Sequence, residues 1–419
     1  MNYKKITIYI IIILISIFLG YQISQNKRII IGFYNKAFKL SERYYYFALN
    51  KIGLSELEKK IDKNLVVTYE NDSYTEIVGN SFSVFYSKVK SFPGRTASIF
   101  LSEKNDLVNY EIFTQEGFII KNKEISEINF PSIFYSSTGV RSVFTVNNQY
   151  FVLAGFSDYT CKYATIFRLK DKENILKSKC LPDNKKVDFD GLGGAYVKTD
   201  NEVLLTIGTP VHQSRKISNL AQDKESIFGK IISIKKETLI QSKDKIDFDI
   251  YSIGHRNPQG LVNYENEIFS FEHGPQGGDE LNIIIKGKNY GWPITSFGTK
   301  YSDGESYQMT FSDSSYKEPL FSFVPSVATS ALNICPKNLL EYYNPYKCLM
   351  GLSLKDMSIL ILVLNKDNNV IIYEKINLGN RLRHFGLDYE GKLFVDNKNH
   401  FYISMDRDGL YKVKFDNIR

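Results

Sequence analysis

A short apolar strand, a polar two-residue turn and a second alternating strand recur four times between residues 140 and 395. Val140-Arg141-Ser142-Val143-Phe144 turns at Asn147-Asn148 into Tyr150-Phe151-Val152-Leu153. Gly194–Val197 turns at Asp200-Asn201 into Val203–Ile207, and Gly260-Leu261-Val262 turns near Glu265-Asn266 into Ile268–Phe271. The last copy, His384–Leu387, turns at Glu390-Gly391 into Leu393–Val395. A hairpin of this size cannot bury both faces by itself, so the copies must stack on one another. At roughly 55–60 residues per four-stranded blade over about 350 residues, the pattern predicts an all-β, six-bladed β-propeller. A sandwich or jelly roll is the competing arrangement, and so many strands in one unbroken region count against it.

Composition agrees with strands. The chain is 43% hydrophobic and 14% aromatic, with 29 Tyr, 29 Phe and only 11 Pro, a mixture that packs sheets rather than remaining disordered. The net charge of +7 is spread along the chain instead of being gathered into blocks. No nucleic-acid partner is expected, whereas an electropositive pocket for a small anion is compatible with that charge.

Residues Ile6–Ile23 form an uncharged apolar run close to the minimum for crossing a bilayer. No small-residue cleavage site follows it, so residues 1–28 are predicted to be an uncleaved transmembrane anchor. Residues 29–63 read as a helical stalk, with Phe33, Ala37, Leu40, Tyr44 and Phe47 at three- and four-residue spacing. Residues 64–419 are then the propeller. The lysines and arginines after the span argue weakly for a cytoplasmic body. The cysteines argue the other way: Cys161 and Cys180 bracket a hairpin, and Cys335 and Cys348 close a loop, as expected of local disulfides in an oxidising compartment. The expectation is a single-pass protein of the bacterial inner membrane with its body in the periplasm.

The chemistry is concentrated between Gly254 and Pro293. The stretch reads Gly254-His255-Arg256-Asn257-Pro258-Gln259-Gly260-Leu261, then Glu272-His273-Gly274-Pro275-Gln276-Gly277-Gly278-Asp279-Glu280, then Asn289-Tyr290-Gly291-Trp292-Pro293. Gly274 permits close backbone approach and Pro275 has no N–H, so this loop presents carbonyl oxygens beside the hard carboxylates of Asp279 and Glu280. Such a donor set suits calcium. A glycine-rich turn with solvated acids is the plainer reading of the same residues.

These three motifs, in order and closely spaced, resemble the signature of the glucose/sorbosone dehydrogenases, with weaker similarity from about Phe130 to Val395. The resemblance implies a six-bladed propeller holding pyrroloquinoline quinone in an axial pocket. It implies that Arg256, Asn257 and His273 contact the quinone. It also implies that the carbonyls of Gly274 and Pro275 hold the calcium bound to it, and that Glu280 and Tyr290 belong to a second, structural calcium. Gly351–Lys355 and Arg381-Leu382-Arg383 resemble further family stretches, adding Lys355, Arg381 and Arg383 to the cofactor set. Strand alternation independently places Arg381 and Arg383 on one face. Guanidinium forks suit a cofactor that carries three carboxylates.

One departure bears on activity. Where the family carries a histidine as general base, this chain has Gly191, with Ala195 and Thr209 replacing the usual Arg and Asp. Asp190 and His212 are the candidate replacements, and each reads equally as a polar loop residue. The leading expectation is an oxidoreductase that takes a sugar to its lactone and passes electrons to an external acceptor. A binding module that keeps the pocket without turnover is the first alternative. A calcium-dependent propeller hydrolase of the lactonase kind is the second.

Overall fold

The computed structural model describes residues 74–416, apart from 80, 93, 123, 131–138, 158–160, 183–188, 211–214, 242–245, 302–303 and 308–314. The chain divides into Met1–Leu65 and Val66–Arg419, and all described residues lie in the second unit. The predicted anchor and stalk therefore fall outside the described residues. Among those described, no helix is long and apolar enough to cross a membrane.

The described residues form six antiparallel sheets. Blade 1 runs through Thr96–Lys104, Leu107–Thr114, Phe118–Lys121 and Glu124–Glu127, and blade 2 through Val140–Val146, Gln149–Ser157, Lys162–Arg168 and Asn174–Lys177. Blade 3 comprises Gly193–Lys198, Glu202–Ile207, Lys230–Lys235 and Asp249–Ile253. Blade 4 comprises Pro258–Tyr264, Glu267–Glu272, Asp279–Ile284 and Phe321–Phe323. Blade 5 is built from Thr329–Ile334, Lys347–Ser353, Ser358–Leu364 and Val370–Asn377. Blade 6 joins Leu382–Phe385, Phe401–Met405 and Gly409–Asp416 to the N-terminal strands Ser83–Ser91 and Thr75–Val78. Ser83–Ser91 pairs with Gly409–Asp416, so the two ends of the propeller zip the ring shut.

The apolar core explains why six blades hold together. It falls into six clusters, one in each gap between neighbouring blades: Phe144 and Val203 share the gap between blades 2 and 3, Phe271 and Leu349 that between blades 4 and 5. The remaining clusters fill the gaps 1–2, 3–4, 5–6 and 6–1. Because both faces of a blade are covered, its middle strands lose the half-buried alternation; Ser358–Leu364 is buried throughout. Some interlocks require the absence of a side chain. A Cβ at Gly351 in blade 5 would lie 2.0 Å from the Phe271 ring of blade 4.

Three of the four sequence hairpins are the inner pairs of blades 2, 3 and 4. Asn147-Asn148 and Glu265-Asn266 have positive φ at both positions, the turn that matches strand twist. The fourth differs. Leu382–Phe385 pairs with Phe401–Met405, and Leu393 and Val395 make only isolated bridges. The turn at Glu390-Gly391 exists, closed by Asp388 N donating to Lys392 O at 2.8 Å, but it is an insertion rather than the blade's own hairpin. It reaches the opposite blade, where Lys198 Nζ of blade 3 donates to Tyr389 O at 2.6 Å. Both cysteine pairs are disulfides, Cys161–Cys180 and Cys335–Cys348.

Candidate functional site

In an antiparallel blade the start of the first strand and the end of the second lie at the same edge. All six first strands carry a register irregularity near their start, which re-aims side chains at this rim. The rim collects Arg95 from blade 1, Arg141 from blade 2 and Asp190 ahead of blade 3. Blade 4 adds Arg256 and His273, blade 5 Lys355, and blade 6 Arg381, Arg383 and Asp406.

Electrostatics shows that these groups sense one another. Burial, then the positive charges of Arg256, Arg383 and Arg141, push the His273 imidazole down to about 3. His384 is pushed down to about 3 as well, by burial and then by Arg383 and Arg141. Both are neutral at physiological pH. The His273 ring contacts the backbone of Thr329, while its Nε2 is buried with no hydrogen-bond partner among the described residues.

Arg381 lies just ahead of the strand Leu382–Phe385 and Arg383 within it, and both meet Asp406. Arg383, with its side chain 6% exposed, pairs through Nε and Nη2 with the two Asp406 oxygens. Arg381 is half exposed, at 3.4 Å from Oδ2, and its Nη1 lies 3.5 Å from Leu354 O. Lys355, the next residue, is exposed. Arg256 donates from Nη1 to His273 O at 3.1 Å and lies over the Trp292 ring, 5.3 Å from its centroid. Asn257 is buried, and its Oδ1 accepts from Gly193 N at 3.1 Å, tying blade 4 to blade 3.

Gly274, Pro275, Glu280 and Tyr290 line one small cleft together with Arg256 and Glu272. Asp279 clamps its loop, accepting from Gly274 N at 3.1 Å and Ala328 N at 2.6 Å. Pro275 O accepts from Gly278 N at 3.3 Å and Ser326 Oγ at 3.4 Å. The Tyr290 hydroxyl donates to Ile283 O at 2.6 Å, and its ring stacks on His255. Burial, then the charge of Glu272, push the Glu280 carboxyl up to about 8. No cluster of three or more His, Cys, Asp or Glu suited to a metal occurs among the described residues, so any cation here would rely on carbonyls as well.

Asp190 Oδ1 lies 3.6 Å from Arg95 Nη1 and 3.9 Å from Arg141 Nη1. Gly191 ends the turn Phe189–Gly191 and Ala195 lies in the strand Gly193–Lys198, while Thr209 N and Oγ1 both donate to Arg256 O, at 2.7 and 3.0 Å. His212 lies outside the described residues. Sequence reasoning missed Arg95, Arg141, Asp406, Glu272 and His384. Arg141 left a signal, as a lone cation in an otherwise apolar inner strand; Arg95 and Asp406 left none.

A family model described as glucose/sorbosone dehydrogenase matches residues 160–401. The chain belongs to the glucose/sorbosone dehydrogenase family. It is 30% identical over 194 residues to an aldose sugar dehydrogenase of Escherichia coli, covering 42% of this chain and 49% of that one. An uncharacterized Synechocystis protein is 33% identical over 210 residues, 47% of this chain and 50% of the other. The chain thus spans about half the length of these curated relatives. Among solved structures, the soluble aldose sugar dehydrogenase of E. coli in its apo form superposes with a TM-score of 0.61 at 20% identity, over 79% of this chain and 99% of that one. The aldose sugar dehydrogenase of Streptomyces coelicolor in its PQQ-bound form gives 0.55 at 15% identity, over 84% and 100%. At those identities the likeness is one of fold.

Proposed function

We propose that this glucose/sorbosone dehydrogenase family member is a quinone- and calcium-dependent oxidoreductase that takes a sugar to its lactone. The observation that carries the reading is that Arg256 of blade 4 and Arg383 of blade 6 both act on His273, whose buried Nε2 has no hydrogen-bond partner among the described residues, with Arg381 beside Arg383 on Asp406. An aromatic tricarboxylate such as pyrroloquinoline quinone matches a rim of that charge, and one of its acceptor atoms would satisfy the orphaned nitrogen.

Arg256, His273, Lys355, Arg381 and Arg383 would hold the cofactor, with Asn257 fixing the backbone behind Arg256. Gly274 and Pro275 would offer carbonyls to one calcium. Glu280, facing Glu272 in the same cleft, would give a second cation the negative charge it needs, with Tyr290 beside it. When bound, the quinone supplies a two-electron sink and calcium a Lewis acid that polarises it. The chain contributes fixed positive charge and orientation, with Arg256 held over the Trp292 ring. Residues 1–28 would tether the body to the periplasmic side of a bacterial inner membrane, near an external electron acceptor.

The test is a titration of purified full-length protein with the quinone, with and without calcium, read by absorbance and followed by a panel of aldoses with a reducible dye. Saturable uptake and sugar-dependent dye reduction are expected. Absence of uptake in the presence of calcium overturns the reading.

A further inference from the structure

Three side chains from three parts of the ring meet at one side of the rim. Arg95 precedes blade 1, Arg141 lies in the first strand of blade 2, and Asp190 sits in the helical turn Phe189–Gly191 before blade 3. The grouping is lopsided: the Arg141 side chain is 4% exposed and that of Asp190 47%. A buried cation thus holds a half-exposed anion, and Arg95 approaches the same oxygen from the neighbouring blade. Glu116 lies on the far side of Arg95, 3.9 Å from its Nε. The turn itself is fixed, since a Cβ at Gly208 would lie 2.2 Å from Gly191 O and 2.7 Å from Arg256 O. The Asp190 backbone is therefore locked in place relative to Arg256.

Dehydrogenation of a sugar hydroxyl needs a proton acceptor, and the histidines do not supply a good one among the described residues. His273 is committed to the cofactor through its buried Nε2, and the His384 ring is hydrogen-bonded to the Thr96 backbone. His255 is fully buried, held by Ser252 Oγ and the Glu272 carboxylate. His400 is bound to Asp396 and Tyr74 near the N-terminal strands of blade 6.

Resting on the quinone-dependent reading above, we propose that Asp190 accepts the proton of the sugar hydroxyl, and that Arg95 and Arg141 position its carboxylate. The O–H bond breaks and its proton passes to Asp190. The C–H hydrogen leaves with its electron pair to the cofactor, an oxidant of the quinone class, and the C–O bond becomes the lactone carbonyl. Water then takes the proton from Asp190, whose side chain is open to solvent.

The test uses full-length protein with three readouts: quinone uptake by absorbance, calorimetric binding of an aldose and of its 1-deoxy analogue, and dye reduction. Asp190→Asn should take up quinone as the wild type does and bind the 1-deoxy sugar unchanged. It should bind the aldose roughly three- to tenfold more weakly, the size of one hydrogen bond. Its turnover should fall by about 10²–10⁴-fold, the usual loss of a general base. Asp190→Glu should recover part of that. Arg95→Gln and Arg141→Gln should lower kcat with little change in KM and keep quinone uptake. Turnover of Asp190→Asn within threefold of wild type overturns the assignment while leaving the quinone reading intact. Loss of quinone uptake in Asp190→Asn overturns it too, making Asp190 a clamp for the two arginines. A wild type that loads quinone but turns over no aldose also overturns it, in favour of a binding module. Failure of the wild type to load at all defeats the parent reading instead.

Discussion

Glu272 and Glu280 face each other across the register of two neighbouring strands of blade 4. Glu272 is anchored by His255 Nδ1 at 2.9 Å and by the Arg256 amide, while Glu280 accepts from Asn282 Nδ2 at 3.1 Å. Burial, and then the facing charge of Glu272, push Glu280 up to about 8, so the pair favours either a proton or a cation between them. Without a cation, a carboxyl with a raised folded pKa stabilises the fold fully below its unfolded value. That contribution is lost as pH rises through about 8. Calcium should therefore raise the melting temperature more at pH 8 than at pH 5, and Glu280→Gln should abolish the difference. Thermal melts in chelator and in calcium at the two pH values check this.

The two imidazoles of the rim predict the opposite trend. His273 and His384 are held near 3, well below their unfolded values, so their contribution is present above about 6.5 and is lost as pH falls toward 3. Cofactor-free protein should lose stability progressively below pH 6.5, ahead of the acid range where Asp406, held low by Arg383, also protonates. The double variant His273→Gln, His384→Gln should flatten the upper part of that decline. Denaturant midpoints between pH 4 and 7 would reveal it.

Asp406 holds Arg383 in place, and the same guanidinium is a candidate partner for the cofactor. Replacing Asp406 by Asn leaves a buried arginine charge uncompensated, a loss of about 3–5 kcal/mol where the charge stays buried. An anionic ligand would restore the missing charge. Quinone should therefore raise the melting temperature of Asp406→Asn by more than it raises that of the wild type, through linkage to the folded state. Equal shifts in the two proteins would mean that Arg383 does not meet the ligand.

How much of this was legible depended on whether the signal was local. The turns at Asn147-Asn148 and Glu265-Asn266 were readable because adjacent asparagines or a Glu-Asn pair adopt the left-handed turn within a few residues. The cysteine pairs were readable because each spans a short loop. Arg381 and Arg383 stood out as a closely spaced pair, and both reach Asp406, although Arg381 lies just ahead of the strand Leu382–Phe385. What failed was non-local. Leu393–Val395 has the composition of a strand but lost its partner to Phe401–Met405, whose claim rests on packing against both Leu382–Phe385 and Gly409–Asp416. Arg95 and Arg141 join Asp190 only because the ring brings blades 1 and 2 to the turn before blade 3, and no spacing in the chain encodes that meeting.

The ring also predicts where small changes do most harm. Gly351 faces Phe271 across the gap between blades 4 and 5, and a methyl group there would overlap the ring edge at 2.0 Å. The ring is fully buried and packed against Phe323, so it has little room to retreat. Gly351→Ala should cost about 1–3 kcal/mol through overpacking, and Gly351→Val more. Phe271→Leu in the Gly351→Ala background should return part of the loss, because a shorter side chain clears the new methyl although it gives up ring contacts elsewhere. Chemical denaturation of the single and double variants measures the coupling, and simple additivity would mean that the two residues do not interlock.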